Sequence, residues 1–157
     1  MSKSEQATKN IAKLTKLVKA RLNSSGKAKT VDDKGNVTYV DHDIFSYEMI
    51  ADFLTLSLSD FNQTPYFTNF TFDNSDFVAT FAEVLVMGAA LQALASQALI
   101  ERGREFVISD NGISFSPPTL SEMLNTQYCT LLNSHAEKLR IIKLDKSINK
   151  FAPKKNK

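Results

Sequence analysis

A chain of 157 residues is long enough for one domain with a substantial core and too short for two. Its single cysteine, Cys129, excludes an intrachain disulfide. The net charge of +2 is bland, but its distribution is not: residues 1–34 hold nine Lys/Arg against three Asp/Glu, residues 35–101 hold nine Asp/Glu and no Lys or Arg, and residues 102–157 hold ten basic against five acidic.

Basic ends around an acidic middle suit head-to-tail pairing between copies, pairing with charged partners, or pairing within one molecule. The N-terminal MSKSEQATKNIAKLTKL lacks the continuous apolar core of a secretory signal, so none is expected. Residues 5–22 read as a basic amphipathic helix, with Ile11, Leu14, Val18 and Leu22 on a narrow apolar stripe. Lys9, Lys13, Lys16, Lys19 and Arg21 surround it as candidate contacts for a partner protein, phosphate or a membrane surface. The helix carries no Trp or Phe to anchor in lipid or stack on bases, so a docked helix with a solvated lysine face is the preferred reading. KAKTVDDKGNVTYVD then reads as two short strands around the turn-rich Asp33-Lys34-Gly35-Asn36.

A second helix is predicted from a cap at Asp43 or Ser46 to about Phe61, with Tyr47, Ile50, Leu54 and Phe61 on one face. The alternating LTLSLS at 54–59 is the place where it would stop early. NQTPYFTNFTFDN follows as loop or extended chain. Its Tyr66, Phe67, Phe70 and Phe72 sit in the acidic zone, which repels phosphate, so core packing or subunit contact is expected of them.

From Asp76 the sequence becomes one long apolar helix, capped by Ser75 or Asp73, with no charged side chain between Val84 and Ile100. Two apolar stripes, one through Phe77, Phe81, Leu85 and Leu99 and another through Val78, Val86 and Ile100, predict a helix covered on most sides. The uncharged run is just short of the ~18 residues of a membrane span and is broken by Gln92, Ser96 and Gln97. A buried core helix, not a membrane span, is therefore expected. Gly103 is placed to end it as a left-handed residue, and Arg102 and Arg104 beside it are candidate contacts at the negative end of the helix dipole.

Residues 105–116 read as a hairpin turning at Asp110-Asn111-Gly112, an Asn-Gly pair suited to positive φ; Asp110 and Asn111 are its candidate contact residues. Pro117-Pro118 stops the strand, and Thr119 to Glu122 form a capping box for a last helix reaching about Ile148. Leu120, Leu124, Tyr128, Leu131, His135, Leu139 and Ile142 form its stripe. The tail beyond is basic, with Lys150, Lys154 and Lys155 as candidate contacts. The fold class expected is mainly α with β-hairpins, a three- to four-helix bundle around the apolar helix. Its expected division is an arm over 1–40, a helical core over 41–148 and a basic tail over 149–157.

Chemistry-bearing residues are sparse. Asp41-His42-Asp43 is a polar turn rather than a metal site, because adjacent residues rarely converge on one ion. His135 lies in an apolar stripe, where a satisfied structural histidine is expected, and Cys129 reads as a small core residue. No phosphate-binding glycine loop, zinc helix or nucleophile elbow is present. Neither an enzyme nor a cofactor site is expected.

Three stretches, FTNFTFDN, GAALQALASQALIERGREF and ISDNGISFSPPTLSEMLN, resemble small virion proteins of tailed bacteriophages of the neck or head–tail connector type. The resemblance runs from Phe45 to Lys143, leaving the N-terminal helix and first strand pair outside it. It implies a structural component of the virion, forming a ring with copies of itself where the DNA-filled head meets the tail. Its partners would be virion proteins on the portal or tail side, with DNA nearby in the channel. The competing expectation is a nucleic-acid-binding accessory protein that uses the lysine-rich N-terminal helix and C-terminal tail.

Overall fold

In a computed structural model, the described residues are 4–22, 25–32, 35–104, 108–110, 113–115 and 120–145; among these, 25–30, 39–42, 104, 108–110, 113–115 and 120 are described by backbone alone. The fold is mainly helical. Helices α1 (Glu5–Leu22), α2 (Tyr47–Gln63), α3 (Ser75–Arg104) and α4 (Leu120–Leu144) form a bundle with α3 at its centre. α1 and α2 touch each other and α3, whereas the extensive contact of α4 is with α3 alone. The apolar helix is thus the spine expected of it.

Each helix is explained by its stripe and its start. Ile11, Leu14 and Val18 of α1 are almost fully buried, as their spacing predicts, and Ile50, Leu54 and Phe61 of α2 are 0% exposed. These side chains enter one cluster with Phe77 and Leu85 of α3, so α1 belongs by its packing to the same core as α2 and α3. The boundary expected at residue 40 falls within β2 (Val37–Asp43). Ser46 is the α2 cap, accepting a hydrogen bond from the Met49 amide at 3.2 Å. LTLSLS does not stop that helix, which continues to Gln63; Ser57 and Leu58 are buried there. The α3 cap is Asn74, whose Oδ1 accepts from the Phe77 amide at 2.9 Å, in place of the expected Ser75 or Asp73. Ser75 is held instead by Asn10 of α1, whose Nδ2 also donates to the Phe72 carbonyl at 2.7 Å.

Two expectations for α3 are corrected. The helix passes through Gly103 to Arg104, and Gly103 does not take the left-handed conformation. Nor is the spine covered along its whole length. Val84 through Leu91 are buried, but coverage then thins, and Leu99 and Ile100 are 71% and 40% exposed. By length and composition α3 is apolar enough to cross a membrane, yet 61% of its most apolar window is buried. Backbone geometry departs from helical at Phe81 (φ −108°, ψ 16°), where two helical segments meet at a kink.

β1 (Ser25–Val31) pairs antiparallel with β2 from Ser25↔Asp43 to Val31↔Val37, and Gly35 takes φ 80° between them. The short β3 (Ile108–Asp110) and β4 (Ile113–Phe115) pair with Ser109 opposite Ser114. Residues 33–34 and 111–112, at the tips of the two expected hairpins, lie outside the described residues.

Candidate interaction surfaces

Three surfaces collect the residues singled out by the sequence. The first is the loop between α2 and α3. Asn62 organises it: its Oδ1 accepts from the Thr68 hydroxyl at 2.9 Å and the Phe70 amide at 3.0 Å, and its Nδ2 donates to the Phe70 carbonyl at 3.0 Å. The Asn62 carbonyl accepts from the Thr68 amide at 3.0 Å. Lys143, near the end of α4, closes the loop from the other side. Its Nζ donates to the Tyr66 carbonyl at 3.1 Å and to Thr68 Oγ1 at 2.8 Å, and lies 4.6 Å from the centre of the Phe61 ring.

This scaffold sorts the four aromatics. Phe70 and Phe72 are buried, and Phe70 stacks on Phe77 with ring centres 4.4 Å apart. Phe70 is therefore removed from the candidate contact residues, because the hydrogen bonds of Asn62 turn it into the core. Tyr66 and Phe67 point outward, 72% and 78% exposed.

Lys143 was legible only as part of a basic helix end, yet it is 3% exposed. Burial lowers its pKa from 10.5 to about 8. Between those values the unfolded chain holds a proton that the folded chain lacks, so folding stability rises with pH from about 8 to 10.5. Below that window both states are charged and the slope vanishes. Urea unfolding at pH 7.5 and 9.5 checks this: Lys143→Met is expected to lose the alkaline gain that the parent protein shows, and an equal gain in both contradicts it.

The second surface flanks the thinly covered half of α3. On one side a groove of about 590 Å³ runs between α1, α3 and α4, lined by Leu22, Ala90, Leu94 and Leu131 with Arg21 at its edge. On the other side a groove of about 590 Å³ is lined by Leu99, Arg102, Ser121, Glu122, Asn125 and Tyr128. Arg102 is exposed there, while the Arg104 side chain lies outside the description. Cys129, expected in the core, is exposed on α4. It falls just off the stripe whose members Tyr128 and Leu131 are part-buried along the two grooves.

The third surface is the lysine face of α1. Lys13 and Lys16 are exposed, but Lys9 pairs with Glu5 at 2.7 Å and Lys19 with Asp43 at 2.5 Å. Asp43 is thus engaged as an ion-pair partner; the side chains of Asp41 and His42 are not described. Of the remaining candidates, Asp110 sits in β3 by its backbone, and Asn111, Lys150, Lys154 and Lys155 lie outside the described residues.

A buried polar crossing at mid-bundle escaped sequence reading. Ser57 Oγ donates to the Leu85 carbonyl at 2.9 Å, and His135 Nε2 lies 3.1 Å from the Val84 carbonyl. A carbonyl only accepts, so this nitrogen carries the proton. Burial holds the His135 pKa below its usual value, opposed by that hydrogen bond. His135 is satisfied and structural. Among the described residues, no three His, Cys, Asp or Glu side chains converge as metal ligands.

No protein-family profile, curated protein or solved structure matches this chain.

Proposed function

We propose that this chain is a non-enzymatic structural component of a tailed-phage particle, a ring-forming protein of the neck or head–tail connector. The observation that carries the reading is the uneven cover of α3. The uncharged stretch of α3 from Val84 to Ile100 is buried from Val84 to Leu91 and less covered beyond, with two open grooves flanking it from Ala90 onward. Apolar helix surface of that kind is stabilised by a neighbour. The opposed charge of the chain's middle and ends supplies complementary faces for such neighbours.

In this reading the helices form the wall of the ring. The strand pairs β1–β2 and β3–β4 act as hairpins that, with the basic termini, reach copies of the chain and virion proteins on the portal or tail side. DNA passes nearby. The competing reading, a nucleic-acid-binding accessory protein, draws less support from α1, where Lys9 and Lys19 are already paired with carboxylates. Peptide mass spectrometry of purified virions encoded by the same genome tests the proposal. The chain is expected as a virion component at a fixed copy number, and virions lacking it would overturn the reading.

A further inference from the structure

We propose that neighbouring copies join through a heterologous contact in which Tyr66 and Phe67 of one copy enter the α1/α3/α4 groove beside Arg21 of the next. The inference rests on the ring reading above and names the contact that would build it.

The donor side has the physical character of an anchor. Two adjacent aromatic side chains are 72% and 78% exposed, on a segment fixed by Lys143 through the Tyr66 carbonyl and by Asn62 through Thr68. Preorganised aromatics lose little conformational entropy on docking, which is why such residues dominate interface energetics. An isolated pair of exposed aromatics contributes nothing to this monomer's core. The scaffold beneath them holds their backbone in place while leaving the rings free.

The acceptor side matches in size, polarity and charge. At about 590 Å³ the groove falls within the roughly 300–1,000 Å³ of pockets that enclose drug-sized molecules, so it has room for two aromatic rings. Leu22, Ala90, Leu94 and Leu131 give it apolar walls, and Arg21 puts a cation at the rim, suited to an aromatic face and to carboxylates. The donor loop and the helix ends that flank it bring carboxylates: Asp60 in α2, Asp73 in the loop and Asp76 in α3, with no Lys or Arg between them. The opposite groove fits less well, since Glu122 lines it beside Arg102 and offsets the charge that would meet the acidic loop.

Placement makes the contact directional. Lys143 marks the donor end of α4, and Thr126, Thr130 and Leu131 mark the groove. At ~1.5 Å per residue they are about 20 Å apart along the helix. Two different patches set apart along one molecule pair head to tail, and such contacts close into rings or continue as filaments.

Light scattering of three proteins, alone and mixed, tests the proposal. Tyr66→Ser with Phe67→Ser removes the donor at exposed positions. Thr130→Glu sets a carboxylate on the exposed rim of the groove, opposite Arg21 and against the acidic loop. Each variant is expected to keep the parent's circular dichroism and to self-associate roughly thirtyfold more weakly. Mixed in equal amounts, they should form dimers and stop there, because one retains a groove and the other a donor. If the parent assembles and the variants assemble equally well, the contact is wrong while the ring reading stands. A parent that remains monomeric at every concentration overturns both.

Discussion

Replacing Phe77 by alanine is expected to remove about 3–5 kcal/mol of folding stability, the range for truncating a buried Phe. Phe77 is 0% exposed, and its ring meets three others: Phe70 at 4.4 Å, Phe61 at 5.3 Å and Phe81 at 5.3 Å. Those rings come from the α2 end, the following loop and the kinked start of α3, so the cavity opens where three segments meet. A domain is typically stable by only about 5–15 kcal/mol, which makes this a loss of roughly a fifth or more. Phe67→Ala, at a 78% exposed position, should change stability by no more than about 0.5 kcal/mol. Urea unfolding followed by circular dichroism measures both. Equal small effects would contradict the assignment of core and surface rings.

Gly88→Ala carries the second large effect, and its sign is diagnostic. In an exposed helix this change is stabilising by about 1 kcal/mol, because glycine pays more backbone entropy. Here a Cβ would lie 2.2 Å from Ser57 Oγ, 2.9 Å from Ser57 Cβ and 3.2 Å from His135 Nε2. Both neighbours are buried and hydrogen-bonded to α3 carbonyls, so neither yields without cost. Overpacking of this kind destabilises by about 1–3 kcal/mol. Adding Ser57→Gly should recover part of the loss, since it removes the two closest atoms. A stabilised Gly88→Ala protein would mean that α2, α3 and α4 do not cross there.

Periodicity made much of this bundle legible before any coordinates. The stripe through Ile11, Leu14 and Val18, the face through Ile50, Leu54 and Phe61, and the inward His135 and Leu139 all fall where helical spacing puts them. Periodicity fails where the deciding partner is remote in sequence. Lys143 closes on Tyr66 and Thr68, Asn10 on Phe72, and His135 on Val84, contacts that no local pattern encodes. The same limit holds at Tyr47, the first residue of α2, which shares that helix's apolar face yet is 41% exposed. For the candidate contacts, composition found the aromatic segment but not its division into buried Phe70 and exposed Tyr66 and Phe67. That division is made by Asn62, a residue with no signature of its own. The two stripes of α3 predict cover on most sides, which holds from Val84 to Leu91 and gives out toward Leu99 and Ile100. Spacing gives a side chain's direction, not whether another helix extends far enough to meet it.

Whether this molecule is built to be covered by its own kind is tested most directly by its mass in solution. Sedimentation equilibrium over a hundredfold range of concentration is expected to show reversible growth from the monomer to a discrete closed multiple of it. A single species at the monomer mass throughout that range would contradict the account.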